Sequence, residues 1–193
     1  MIYLFLIIKI MEDIMNHVGT LELKTERLVL RKFRKEDANE IFLGFVNQDE
    51  FLYYANKEKR TLEDEIKSLE NIDEKYENDE YYNWLIILKE TQEIIGSINL
   101  RVENKNESVE FNYVIDNRFV NKGYMTEALK EVKWFAFEVM NVNRFQGGCV
   151  VENIKSKRVM EKCDMECEGI LKSYIKLKDG YHDMYMFSNV RGK

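Results

Sequence analysis

Proline is absent from all 193 residues, which excludes cis-proline turns and proline-rich linkers. Cysteine is scarce and odd in number. Cys149, Cys163 and Cys167 have no paired Cys-x-x-Cys spacing, and His17 and His182 are the only imidazoles, so neither a disulfide framework nor a zinc site is supported. Positive charge is also short. Lys and Arg number 29 against 35 Asp and Glu, a formal net charge of −6. That speaks against a nucleic-acid partner and requires any anionic ligand to meet a local basic patch. Apolar runs are short as well. Residues 1–10 (MIYLFLIIKI) lead into Glu12 and Asp13, far below the ~20 residues of a membrane span. No basic segment precedes them and no small-residue cleavage site follows, so a secretory signal fits poorly. The expectation is a cytoplasmic protein without a membrane partner. Residues 1–18 then form an N-terminal extension: either the product of a start upstream of Met11 or Met15, or an added strand or helix covering apolar surface or a partner chain.

What is present is ample core material. Hydrophobic residues make up 45 %, with 11 Tyr, 11 Phe and 2 Trp, too much for a disordered chain. The length fits one domain, residues 19–193, as a monomer or homodimer. Leu28, Leu30 and Phe33 alternate with charged neighbours and predict a half-buried strand after a turn near 24–26. Ala38, Ile41, Phe42 and Phe45 predict a helix behind Asp37. A Thr61–Asp64 capping box opens a second helix, which runs towards Glu77. Strand periodicity then covers 82–89, 93–102 and 108–116 around two polar turns. Met125, Ala128, Leu129, Val132, Phe135, Ala136 and Val139 mark one face of a long helix over 123–140. A strand at 145–151, a helix at 154–163 and a hairpin around Asp179-Gly180 close the chain.

The loop from Asp116 to Ala128 joins a strand to a helix and carries Gly123 at the helix start. Unpaired N–H groups and the positive dipole end of a helix suit an anion there, and a glycine lets a phosphate approach the backbone. Arg118, Lys122 and Lys130 add positive charge locally. An ordinary loop whose glycine merely begins a helix has the same composition. Glu63, Asp64, Glu65, Glu74, Glu77, Asp79 and Glu80 form an acidic stretch that fits either an acceptor-side lining or a solvated helix face.

Four segments in order resemble the GNAT N-acetyltransferase superfamily, in the branch of the ribosomal-protein N-terminal acetyltransferases RimJ and RimL. They are Thr25-Glu26-Arg27-Leu28-Val29-Leu30-Arg31, Asn121-Lys122-Gly123-Tyr124-Met125-Thr126-Glu127-Ala128, Asn153-Ile154-Lys155-Ser156 with Val159-Met160-Glu161-Lys162, and Glu168-Gly169. The resemblance spans roughly residues 21–188. It implies a mixed α/β fold: a strongly twisted mixed sheet flanked by helices, with acetyl-CoA held where two central parallel strands, here 108–116 and 145–151, splay apart. It implies an acetyl-CoA pyrophosphate on the backbone of Lys122, Gly123, Tyr124, Met125 and Thr126, with Arg118 and Asn153 contributing, no metal, and a primary amine as acceptor. Glu110 takes the position of a general base that acts directly or through water, although an exposed partner in an alternating strand reads the same way. Asn153 and Ser156 match the branch, the Ser hydroxyl donating to the departing thiolate. As residues alone, the pair is also an N-cap with an exposed Ser. Val120 stands where a Trp, Arg or Gln is usual, Asn112 and Met125 replace small residues, and Met160 occupies the position of the phenolic acid of other members. These departures support one rival, a non-catalytic acyl-CoA-binding sensor with the same fold.

Overall fold

The computed structural model describes residues 15–192. The apolar run at 1–10 therefore lies outside the described residues. Among the described residues eight strands form one sheet: β1 (Leu23–Lys24), β2 (Leu28–Arg31), β3 (Tyr82–Leu88), β4 (Ile94–Glu103), β5 (Ser108–Ile115), β6 (Arg144–Val150), β7 (Glu166–Leu177) and β8 (Gly180–Val190). Their spatial order is β1-β2-β3-β4-β5-β6-β8-β7. Every pairing is antiparallel except β5 with β6.

β3 explains why the sheet is covered on both faces. Successive side chains point to opposite faces of a strand, yet Trp84, Leu85, Ile86, Ile87 and Leu88 are all buried. Trp84 and Ile86 belong to one core with α5 (Tyr124–Trp134), through Ala128, Leu129 and Val132. Leu85 and Ile87 belong to a second core with α1 (Ala38–Gly44), α3 (Leu62–Leu69) and α4 (Ile72–Lys75), through Ala38, Ile41, Leu69 and Ile72. A strand buried on both faces reads as a continuous apolar run. Helix α3 opens at the Thr61 capping box, where Thr61 Oγ1 accepts from the Asp64 amide at 3.2 Å and Asp64 accepts from the Thr61 amide at 2.9 Å.

Three elements depart from the expected pattern. The single helix expected from Thr61 towards Glu77 breaks after Leu69, and Ile72–Lys75 forms the separate helix α4. The short helix α2 (Asp49–Tyr54) lies where the sequence pattern predicts no element, because six residues are too few to establish a period. The long helix expected over 123–140 is α-helical only to Trp134 and continues as a π-helical segment, Phe135–Val139. Trp134, at the end of the α-helical part, is exposed, while Phe135 and Ala136 are buried.

The sheet opens at its centre. β5 pairs with β4 along its whole length, from Glu103↔Ser108 to Gly96↔Ile115. β6 pairs with β8 just as fully, from Arg144↔Val190 to Val150↔Met184. Between them the parallel ladder holds only at Ser108↔Arg144, Val109↔Phe145 and Glu110↔Gln146. Rings fill the start of the gap. Phe111 stacks on Phe145 with centroids 4.9 Å apart, and Tyr113 lies parallel to Phe111 at 6.0 Å. Gly147 makes room for them, since a Cβ there would sit 2.5 Å from the Phe111 ring.

Candidate active site

Beyond Glu110 and Gln146, the parting strands open into a cleft of about 450 Å³. Its walls come from β5, from the loop leading to α5, from α2 and from α6 (Ile154–Lys162). Gly123, Tyr124, Met125, Thr126, Asn153 and Ser156 all line it. The other three sequence-selected residues, Glu110, Arg118 and Lys122, are not part of the lining.

The α5 end of the cleft is built from backbone. Gly123 is the N-cap at φ +82°, and it offers no side chain to the first-turn amides of α5. Asn121, two residues earlier, is also left-handed at φ +61°, a conformation Asn tolerates and Gly adopts freely. The amides of Tyr124, Met125 and Thr126 thus start a helix with no capping side chain, the arrangement that receives anions.

Side chains from distant segments hold this loop in place. Asp116 is fully buried and accepts from the Arg118 amide at 2.9 Å, Arg118 Nη2 at 2.7 Å and Gln48 Nε2 at 3.0 Å. Burial pushes the Asp116 carboxyl up, but the Arg118 bonds outweigh it and hold it below the usual range. The Arg118 guanidinium is therefore committed to the loop's own fold. Lys122 lays its ammonium 5.1 Å over the Phe119 ring. Arg27, in the turn before β2, donates Nη1 to the Lys122 carbonyl at 3.1 Å and stacks 4.5 Å over Tyr124. Glu127 on α5 accepts from the Arg27 amide at 2.9 Å, from Arg27 Nε at 2.6 Å and from the Thr25 hydroxyl. The first two sequence motifs are thus one structural unit, a clamp that fixes the helix start.

At the α6 end, Asn153 caps the helix, its Oδ1 accepting from the Ser156 amide at 3.0 Å. The Ser156 carbonyl accepts from the Tyr113 hydroxyl at 3.3 Å. Burial pushes the Tyr113 phenol well above its ordinary range, so it stays protonated. Both of these hydrogen bonds use the Ser156 backbone, and the Ser156 side chain draws the Tyr113 phenol down against the larger effect of burial. Burial also pushes the thiols of Cys149 and Cys163 up to about 12 and about 11, too high for a thiolate nucleophile near neutral pH.

Glu110 sits on β5 where the strands are still paired, and its carboxylate meets Arg101 of β4. The acidic stretch from Glu63 to Glu80 supplies no lining residue. Asp64 is spent on the α3 cap, and the buried Glu65 pairs with Arg60 at 2.9 Å. The lining instead includes residues that sequence reasoning missed: Gln48, Glu50, Phe51 and Tyr54 around α2, and Arg158 and Lys162 on α6. The available signal was the aromatic, acid-led run Asp49-Glu50-Phe51-Leu52-Tyr53-Tyr54. Among the described residues no helix is long and apolar enough to cross a membrane, and no cluster of three or more His, Cys, Asp or Glu is set to hold a metal.

Residues 27–166 match the acetyltransferase (GNAT) domain family. An uncharacterized N-acetyltransferase of Bacillus subtilis, YoaA, is 26 % identical over 170 residues, covering 88 % of this chain and 96 % of that protein. A ribosomal-protein-serine acetyltransferase of Escherichia coli is 29 % identical over 111 residues, 57 % of this chain and 62 % of its own. In three dimensions the chain resembles RimL, a ribosomal L7/L12 alpha-N-protein acetyltransferase solved with coenzyme A. The TM-score is 0.73 at 18 % identity, with 88 % of this chain and 98 % of that one covered. With the family matched over most of its length and the splayed sheet in place, the chain belongs to the GNAT acetyltransferases.

Proposed function

We propose that the protein moves an acetyl group from acetyl-CoA to a primary amine, the α-amine of a protein or a small amine, by direct attack within a ternary complex. One observation carries this reading: the β5–β6 ladder ends at Glu110↔Gln146 and opens beside the uncapped amides that follow Gly123. The residues fit a CoA pyrophosphate. A left-handed glycine, first-turn N–H groups and the cationic lining of Arg158 and Lys162 suit a polyanion in an otherwise acidic chain. In this reading the amides of Gly123 to Thr126 bind the phosphates, Lys122 adds charge, Arg118 holds the loop through Asp116, and Asn153 orients the arm of the cosubstrate. Acetyl-CoA supplies an activated thioester when bound. Glu110 removes the amine proton, and its position outside the lining favours a water relay. The Ser156 hydroxyl donates to the sulfur as charge develops. The raised thiols of Cys149 and Cys163 support attack without a covalent enzyme intermediate.

The Glu110–Arg101 pair outside the lining favours a second reading, an acyl-CoA-binding sensor without turnover. CoA release assayed over a panel of primary amines separates the two. The enzyme reading expects release with at least one amine, and a Glu110→Gln variant slower by roughly 10²–10⁴-fold at neutral pH, the range for loss of a general base. Acetyl-CoA binding without release for any amine selects the sensor.

A further inference from the structure

Among the described residues Glu50 is the only carboxylate that lines the cleft, and the other charged lining groups, Lys155, Arg158 and Lys162, are all cations. Arg158 and Lys162 suit the anionic cosubstrate. Glu50 suits the opposite charge, and it already holds one. Its two carboxylate oxygens lie 3.0 and 2.8 Å from Lys155 Nζ, joining α2 on one wall to the first turn of α6 on the other. Lys155 ends in a primary ammonium on a four-carbon stem, the same functional group as an acceptor amine. Phe51 and Tyr54, one and four residues along from Glu50, line the same cleft and offer aromatic surface to the stem of an incoming amine. The pair is built to exchange. The Lys155 side chain is 53 % exposed and that of Glu50 38 %, and ion pairs in that setting are held weakly. Helix α2 itself is secured separately, by the Tyr53 hydroxyl on Asp179 at 3.0 Å, so the carboxylate stays in place when Lys155 leaves.

We propose that Glu50 is the docking carboxylate for the acceptor's ammonium, and that Lys155 is an internal stand-in which the acceptor displaces. The inference rests on the acetyl-transfer reading and adds its acceptor subsite. The ligand class is a primary ammonium, borne either by a small polyamine or by the free terminus of a peptide.

Calorimetry on the CoA-saturated protein tests it without relying on turnover. Spermidine forms one arm and a short lysine-free peptide with a free N-terminus the other; the controls, diacetylated at both primary amines and acetylated at the N-terminus respectively, carry no primary ammonium. The expected result is that wild type binds at least one of the free amines and neither acetylated control. Glu50→Gln should weaken that binding by about tenfold or more, because a charge-assisted hydrogen bond is lost, while acetyl-CoA affinity stays within about twofold. Lys155→Met should tighten amine binding, since the competing ammonium is gone. Equal amine affinity in wild type and Glu50→Gln overturns the proposal. So does a loss of amine binding that acetyl-CoA affinity follows in step, and so does the absence of amine binding in both wild type and Lys155→Met. Melting temperatures keep misfolding apart from these outcomes. Failure of the acetyl-transfer reading is a separate event: no CoA release with any amine, whatever the calorimetry gives.

Discussion

Ser156 gives a single-residue test because its amide and carbonyl hold the hydrogen bonds to Asn153 and Tyr113, while its side chain acts on the Tyr113 phenol. The amide is capped by Asn153 and the carbonyl by Tyr113, so Ser156→Ala removes the hydroxyl and keeps both. If that hydroxyl meets the departing sulfur, turnover should fall more than acetyl-CoA affinity, at an unchanged melting temperature. The cost should lie below the roughly 2.7–4 kcal/mol of a strong oxyanion donor, because sulfur is a weaker acceptor. Steady-state kinetics beside calorimetry reads the difference. Glu127 makes a second prediction, on stability. Burial pushes its carboxyl up, but the bonds from Thr25 and Arg27 outweigh it and hold it below its ordinary 4.5. A depressed carboxylate stabilises the fold at pH values above the unfolded value and loses that contribution as pH falls through the folded one. Glu127→Gln should therefore lower stability by about 1–3 kcal/mol at neutral pH. The gap from wild type should close on acidification to about pH 3. Denaturant melts at both pH values check it, and a gap that persists in acid would refute the ionic role.

Among the elements, α2 depends on partners from the far end of the chain. Tyr53 reaches Asp179 at 3.0 Å, and His182 lies between Asp179 at 3.0 Å and Glu152 at 3.3 Å. The hydrogen bond to Asp179, then that to Glu152, raises the His182 imidazole above its ordinary 6.5. A raised imidazole contributes fully below the unfolded value, and the contribution is lost as pH rises through the folded value. Wild type should therefore be more thermostable than His182→Gln near about pH 6, with the two converging near about pH 8.5. Thermal melts across that window decide it, and a pH-independent difference would mean the ring acts only by packing. The same helix marks a limit of sequence reading. The Thr61 cap, the β3–β4–β5 succession and the Asn153 cap were legible because each is a local pattern. Six residues with Leu52 as the sole buried side chain carry no period. What sets α2 beside the cleft is Asp179, 126 residues away from Tyr53.

For the molecule as a whole, the cleft joins β5, α2, α5 and α6, so a ligand that fills it should stabilise the entire fold. Acetyl-CoA at 100 times its dissociation constant should add about 2.7 kcal/mol, seen as a raised melting temperature. Gly123→Val should lose most of that gain. Its φ of +82° strains a branched residue, and the added side chain stands where the phosphates approach. A full ligand-induced rise in a folded Gly123→Val protein would remove the loop from the cosubstrate site.

By itself the sequence determined the order and type of most elements, the family, and the loop at Gly123. The elements and the loop are written in spacing, period two on strands, three to four on helices, a glycine after a polar run, and the family in four ordered motifs that resemble it. Tertiary structure alone decided three further matters. It set where the β5–β6 ladder ends, after three residue pairs, with the Phe111 ring packed where a Cβ on Gly147 would stand. It joined Gln48 to Asp116 and Glu127 to Arg27 and Thr25, pairings that depend on which loops meet in space. It also left Glu110 outside the lining and brought Glu50 to Lys155 across the cleft. Those last two residues lie 105 apart in the chain. No local pattern encodes a contact at that separation, since it is fixed only when two helices dock on either side of an opened sheet.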